Sequence, residues 1–400
     1  MATSRTASAK QKPLKVGLIG CGGRGTGAAR QALKADENAE LVAVADAFED
    51  QADAFLDRIS DSDVGDRVNV KDKKKFVGFD AYKGVIKSCD VVLLATPPNF
   101  RPLHVEAAVD AGKHLFIEKP IAVDAPGVRS VMESCRRAEK KNISVVTGLC
   151  YRYEFAKQAT LQRVHDGAIG DILTMQATYN TGALWHKGRK AEWSEMEYQM
   201  RNWLYFDWLS GDHINEQHIH SLDKLAWTMR DVYPAKATAS GGRIVRTGEE
   251  YGNIYDHFNT VYEWENGVKG FSSCRQWANA DTDVSDQVYG TKGVAHLQEH
   301  RIDNHDGSVW QHEKDSADDM YQNEHDALFA SIRSGEHINN GHIMCGSTLM
   351  AIMARMSAYT GQTVTWDDAL NSTLDLSPPE HTWGDVAVRP VPRPGETKFA

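Results

Sequence analysis

Lys15-Val-Gly-Leu-Ile-Gly20-Cys-Gly22-Gly-Arg24-Gly25 is the stretch on which the fold is read. Residues 16–20 are an apolar β-rich run, and residues 26–35 have helical composition. Between them lies G-x-G-x-x-G. Gly20 permits a tight turn, Gly22 lets the backbone approach a pyrophosphate, and Gly25 lets the helix pack close to the strand. The helix N-terminus beyond offers free N–H groups to an anion. A second β-rich run, 41–46, ends in Asp46, which lies 21 residues after Gly25. An acid about 20 residues on is placed to accept hydrogen bonds from the hydroxyls of an adenosine ribose. It also opposes a 2′-phosphate, and Ala47 and Phe48 supply no cation to bind one. The sequence therefore points to NAD in preference to NADP.

The pattern alternates outward from this loop. Further β-rich runs fall at 91–95, 114–117 and 144–148, with helical stretches at 26–35, 49–59, 101–112 and 126–141. Strand–helix alternation implies a parallel, doubly wound Rossmann sheet with helices on both faces. The apolar runs are nearly continuous, as strands buried on both faces should be. The basic run Lys71–Lys75 reads as a solvated loop or a helix start.

The character changes after Tyr151. A helix at 154–166 leads into a strand at 171–181, a Trp-rich irregular stretch, and a helix from about 212 to 229. Longer β segments follow at 236–245, 257–264, 267–277, 285–289 and 294–299, with a hairpin signal at Asn266-Gly267. Helices at 321–334 and 343–360 close this half. The expected organisation is a lead-in at 1–14, a Rossmann domain at 15–150, and an α+β domain at 151–376 with an open, mostly antiparallel sheet. A Pro-rich tail at 377–400 is expected to run extended over the surface.

Composition narrows the partners. The net charge of −10 leaves no surplus of Lys and Arg for nucleic acid. No apolar run approaches the roughly 20 residues of a membrane helix. Residues 1–12 lack the apolar core of a signal peptide and read as a disordered lead-in. Six scattered cysteines without a C-x-x-C pair read as reduced thiols, hence a cytoplasmic protein.

Two further segments set the class. One is Ala95-Thr96-Pro97-Pro98, followed by His104 and then Glu118-Lys119-Pro120. The other is Glu216-x-x-x-His220-Ser-Leu-Asp223. With the glycine loop, they resemble the glucose–fructose oxidoreductase / inositol dehydrogenase / MocA family from Lys15 to about Ser372. The resemblance implies hydride transfer between NAD and a hydroxyl-bearing carbon of a sugar or polyol, in a homodimer or homotetramer built on the open sheet. It makes Lys119 a contact to both cofactor and substrate, Pro120 a turn-shaping and often cis proline, and His220 the general acid/base. Glu216 stands where many members have Asp. Gly20, Gly22, Gly23, Arg24, Gly25, Asp46, Thr96, Pro97, His104, Glu118 and Lys119 are the implied cofactor contacts.

The residues support this reading without the family. At 100° per residue, Glu216, His220, Asp223 and Trp227 share one helix stripe, and Leu222, Leu225 and Met229 share another. A solvated stripe would account for the acids alone. Lys119 follows a strand end, where ligands of open α/β sheets bind, although a snorkelling surface lysine has the same look. Arg152 either lines the site or closes an ion pair. Among Trp185, Trp193, Trp203 and Trp208, one or two are expected at substrate, with Trp203 the first choice, and the rest in packing. His213, Glu216 and His220 also admit a metal reading, but the spacing is not H-E-x-x-H and the nicotinamide chemistry explains them without one. Two other functions remain open: an NAD-retaining glycoside hydrolase or lyase, and a non-catalytic NAD-responsive binding protein. A histidine base titrating near pH ~6.5 would give oxidation rates that rise through that region.

Overall fold

The computed structural model describes residues 12–313 and 316–398. Most of the lead-in expected at 1–14 lies outside them. The first sheet holds β1 (Leu14–Ile19), β2 (Ala39–Asp46), β3 (Lys75–Val77), β4 (Val91–Leu94), β5 (His114–Ile117) and β6 (Val145–Thr147). All pairings are parallel, in the order β3-β2-β1-β4-β5-β6. The order reverses between β1 and β4, so a crevice opens beyond their carboxyl ends. Helices α1 (Gly23–Ala35), α2 (Glu49–Ser60), α3 (Tyr82–Ile86), α4 (Arg101–Asp110) and α5 (Ala125–Lys140) connect the strands.

β3 is absent from the sequence reading. Lys71–Lys75, expected as a loop or helix start, forms a single 3-10 turn at Asp72–Lys74 and then enters this three-residue edge strand. So short a strand, nowhere buried, carries no alternation to read.

The second half contains α6 (Phe155–His165), α7 (Glu195–Arg201), α8 (Asp207–Ser210), α9 (His213–Glu216), α10 (Ile219–Thr228), α11 (Met320–Ser334), α12 (Gly341–Thr360) and α13 (Trp366–Asn371). Its strands are β7 (Ile172–Thr181), β8 (Lys236–Gly242), β9 (His257–Glu263), β10 (Lys269–Gln276), β11 (Asp283–Gly290), β12 (Gly293–His296), β13 (Arg301–Asn304), β14 (Val309–Gln311) and β15 (Val364–Thr365). The sheet order is β14-β13-β12-β11-β7-β10-β9-β8-β15. All pairs are antiparallel except β7 with β10. The Asn266-Gly267 hairpin forms as read, with Gly267 at φ +86° and Trp264 N–H donating to Val268 O. Helices α10 and α12 cover one face of this sheet. The other face is left open by Thr238, Asn259, Gln176 and Phe271.

The chain does not fold strictly in sequence order. Leu328 and Phe329 of α11 sit in one core with Val16, Leu18, Phe116 and Val146 of the first sheet. Asp319 caps α11 through Tyr321 and Gln322 N–H groups, and left-handed Gly335 ends it.

The helix expected from 212 to 229 is two helices. α9 stops at Glu216, and α10 starts at Ile219. Glu216 and His220 therefore flank a break and do not share a continuous stripe. A tertiary contact accompanies the break. Lys119 Nζ takes the Glu216 carbonyl, and His220 N–H turns to Gln217 O at 3.5 Å.

Candidate active site

Beyond the carboxyl ends of β1, β2 and β4 lies a cavity of about 460 Å³. Gly20, Gly22, Gly23, Arg24, Gly25, Asp46, Thr96, Pro97 and His104 all line it. Gly20 and Gly25 have the turn and close-approach geometry that the sequence asks of them. Gly20 has φ +100°, and a Cβ on Gly25 would stand 2.0 Å from Gly20 O. A Cβ on Gly22 or Gly23 would meet only open space. The first turn of α1 carries no side-chain cap, so its N–H groups remain for an anion. Asp46 sits at the β2 end, its carboxylate accepting from Cys21 N–H (2.7 Å) and Phe48 N–H (3.0 Å). Burial raises its pKa against those bonds. Cavity size, the uncapped helix and Asp46 in the lining together fit a dinucleotide.

Two residues that sequence reasoning missed hold the crevice in shape. Buried Arg101 donates to Thr96 O and Pro120 O, tying the ends of β4 and β5 together. Burial lowers its pKa to about 10. Its cation at a helix N-terminus runs against the dipole, which is the signal a sequence could offer. Glu324 of α11 is the second. Arg24 pairs with Glu118 and with Glu324 (2.8 Å), and donates to Gln31 (2.8 Å). The Arg24 guanidinium is thus committed to the protein. Burial, then the Glu118 charge, pushes the Glu324 carboxyl up. His104 is packed between Tyr82 and Phe100, and burial lowers it to about 3.

Lys119 follows β5, and its bond to Pro120 is cis. Lys119 Nζ lies 3.3 Å from Glu216 Oε1 and also bonds the Glu216 carbonyl. Each side chain is 16% exposed. His220 opens α10, with the Tyr151 ring edge-on at 5.3 Å. His220 Nδ1 is enclosed with no protein partner. Burial, followed by the charges of Lys119, Lys224 and Arg24, drives its pKa well below the usual value. The imidazole is therefore neutral and able to accept a proton. Tyr151 lies under the ammonium groups of Lys224 (4.4 Å) and Lys157 (5.1 Å). Burial raises its phenol to about 12.

The remaining candidates separate. Of the two roles open to Arg152, the structure gives the ion pair. Its guanidinium bonds Asp223 three times (2.9–3.0 Å) and Asp231 twice (2.6 and 3.3 Å) over the Trp227 ring. Expected as a substrate ligand, Arg152 is 9% exposed and spent on fixing α10. Trp203 lines the dinucleotide cavity with Trp185. Trp208 is buried against Gln199 (2.7 Å), and Trp193 lies under Arg201. His213 is turned to Asp212 and Cys274, which takes it out of the metal reading.

Fold and cavity define a Rossmann-type, NAD-binding oxidoreductase. The chain belongs to the GFO/IDH/MocA family. The model described as "Oxidoreductase family, NAD-binding Rossmann fold" matches residues 14–147, and the family's C-terminal domain model matches residues 158–296. An uncharacterized oxidoreductase of Streptococcus pneumoniae is 26% identical over 211 residues, 52% of each chain, so the match spans about half of that relative. Inositol 2-dehydrogenase of Rhizobium meliloti is 24% identical over 288 residues, 72% of this chain and 76% of that one. The crystal structure of myo-inositol 2-dehydrogenase from Lactobacillus plantarum superposes with TM-score 0.68 at 19% identity, over 88% of this chain and 99% of that one. That likeness shows the shared fold.

Proposed function

We propose that the chain transfers a hydride between NAD and a hydroxyl-bearing carbon of a sugar, sugar derivative or polyol. The observation that carries this is the gathering of Lys119, Glu216 and a neutral His220 beside a dinucleotide-sized cavity. The inositol dehydrogenase relatives support the substrate class. When bound, NAD supplies the hydride acceptor. In the oxidation direction His220 takes the hydroxyl proton on its imidazole. Lys119 uses two of its three N–H donors on Glu216 and keeps the third for the substrate oxygen where negative charge develops. The free oxygen of Glu216 accepts from a neighbouring hydroxyl. A panel of sugars and polyols assayed for NADH, with glycosides run in parallel, tests the reading. Net NADH with at least one polyol or sugar is expected. Glycoside cleavage without net NADH would overturn it.

Asp46 underlies the preference for NAD over NADP. Calorimetric titration should find NAD the tighter ligand, and Asp46→Ala should weaken NAD roughly 10–100-fold, the range for losing a hydrogen bond to a charged group. NADP should change less, so the two affinities converge. Equal or tighter NADP binding by the wild-type chain would contradict the assignment.

The six cysteines, all free and buried, support a reducing, cytoplasmic setting. The uncovered face of the second sheet supports self-association into a dimer or tetramer. Light scattering at micromolar concentration should give a multiple of the chain mass.

A further inference from the structure

Granting that the cavity holds a dinucleotide, we infer that the C-terminal tail builds the outer wall of its adenosine end, with Trp383 positioning the aromatic rings that an adenine meets. Asp46 marks that end. Phe48 and Phe79 line the same cavity beside it. Trp383 packs behind both, with ring centroids 5.3 Å from Phe48 and 4.6 Å from Phe79. Phe48 also carries the Arg201 guanidinium at 4.0 Å. Its ring is thus held by a cation and an indole before any ligand arrives. His381 extends the wall, lying against Phe79 (6.0 Å) and Phe100 (4.9 Å), another cavity residue.

The tail is tied down on both sides of the crevice. Asn99, at the β4 end, donates to Ser377 Oγ (3.1 Å) and meets a His381 ring nitrogen at 3.2 Å. Gly384 O accepts from Met196 N–H of α7 (3.0 Å). Pro392 O accepts from the Tyr255 hydroxyl (2.9 Å). The extended run read in the sequence therefore bridges the two halves of the molecule. Both family models end before it, at residues 147 and 296. Trp383 remains 46% exposed, so the core does not account for a ring this large at that position. A ring set fixed in advance lowers the ordering cost of binding, and a nucleobase gains from a π-face to stack on.

AMP is the probe, because it carries the adenosine half alone. Titration calorimetry on the full chain should show AMP binding roughly tenfold weaker in Trp383→Ala, the scale of losing a pair of aromatic contacts. Trp383→Phe should recover most of the affinity. The melting temperature without nucleotide should fall by only about 2–8 °C, the scale of losing the contacts of half-exposed Trp383 to Phe48 and Phe79. Unchanged AMP affinity in Trp383→Ala overturns the inference. So does a loss that Trp383→Phe fails to recover, because the effect would then not be that of an aromatic wall. A wild-type chain that binds neither AMP nor NADH would instead refute the cofactor reading beneath it.

Discussion

His220→Ala is expected to lower turnover by about 10²–10⁴-fold while NAD still binds, the range for a positioned general acid or base. His220 lies within the field of the Lys119 ammonium, and its Nδ1 has no protein partner. His218 is fully buried with Nε2 on Ser272 at 2.6 Å, and buried His213 has Nδ1 on Asp212 at 3.0 Å. The pH profile gives a second readout. A base works in its neutral form. Burial and three nearby cations favour that form, so the folded pKa lies below the ordinary ~6.5. The sequence alone puts the rising limb of the oxidation rate near pH ~6.5; the structure moves it lower. The kcat/KM profile should be flat through that pH and fall only on further acidification. A limb at or above pH ~6.5 that disappears in His220→Ala would contradict this environment. Near-normal turnover of the variant would remove His220 from the chemistry.

What was legible in the sequence was local. The glycine loop is dictated by turn and close-approach geometry that only glycine meets, and the β-rich runs between helices fix a parallel sheet. Asp46, Thr96 and His104 reach the cavity because they end or follow those strands. What the sequence hid was tertiary. Glu216 and His220 stand four apart, which satisfies a helix repeat. At the break between them the Glu216 carbonyl meets Lys119, a donor 97 residues away. Arg152 could be narrowed to two roles but not to one, because Asp223 and Asp231 become its partners only once α10 packs beside it. Trp203 has a sugar-binding look, and it lines the same cavity as the glycine loop. α11 reads as part of the second half by position and contributes Leu328 and Phe329 to the first core.

Arg152→Met should be the most destabilising of the substitutions considered. Asp223 is 2% exposed at its side chain and takes three of the five Arg152 bonds, with Ser347 Oγ adding a fourth contact at 2.7 Å. Methionine keeps the volume but leaves that carboxylate buried without a cation. Breaking such a pair from one side typically costs about 3–5 kcal/mol. At roughly 2–4 °C per kcal/mol for a chain with domains of this size, the melting temperature should drop by about 6–20 °C. Asp223 lies one turn after His220 on α10, so turnover should fall even where the variant remains folded, with NAD affinity little changed. The cost belongs to the orphaned charge, not to the pair as such. Adding Asp223→Leu should therefore restore part of the lost stability, since a buried pair exchanged for apolar volume is often near neutral. Asp231, 32% exposed, can turn to water in both variants. Thermal melts of wild type, the two single variants and the double variant measure the coupling. A drop below about 1 kcal/mol for Arg152→Met, the scale of a surface pair, would mean that Arg152 does not anchor the helix that carries His220.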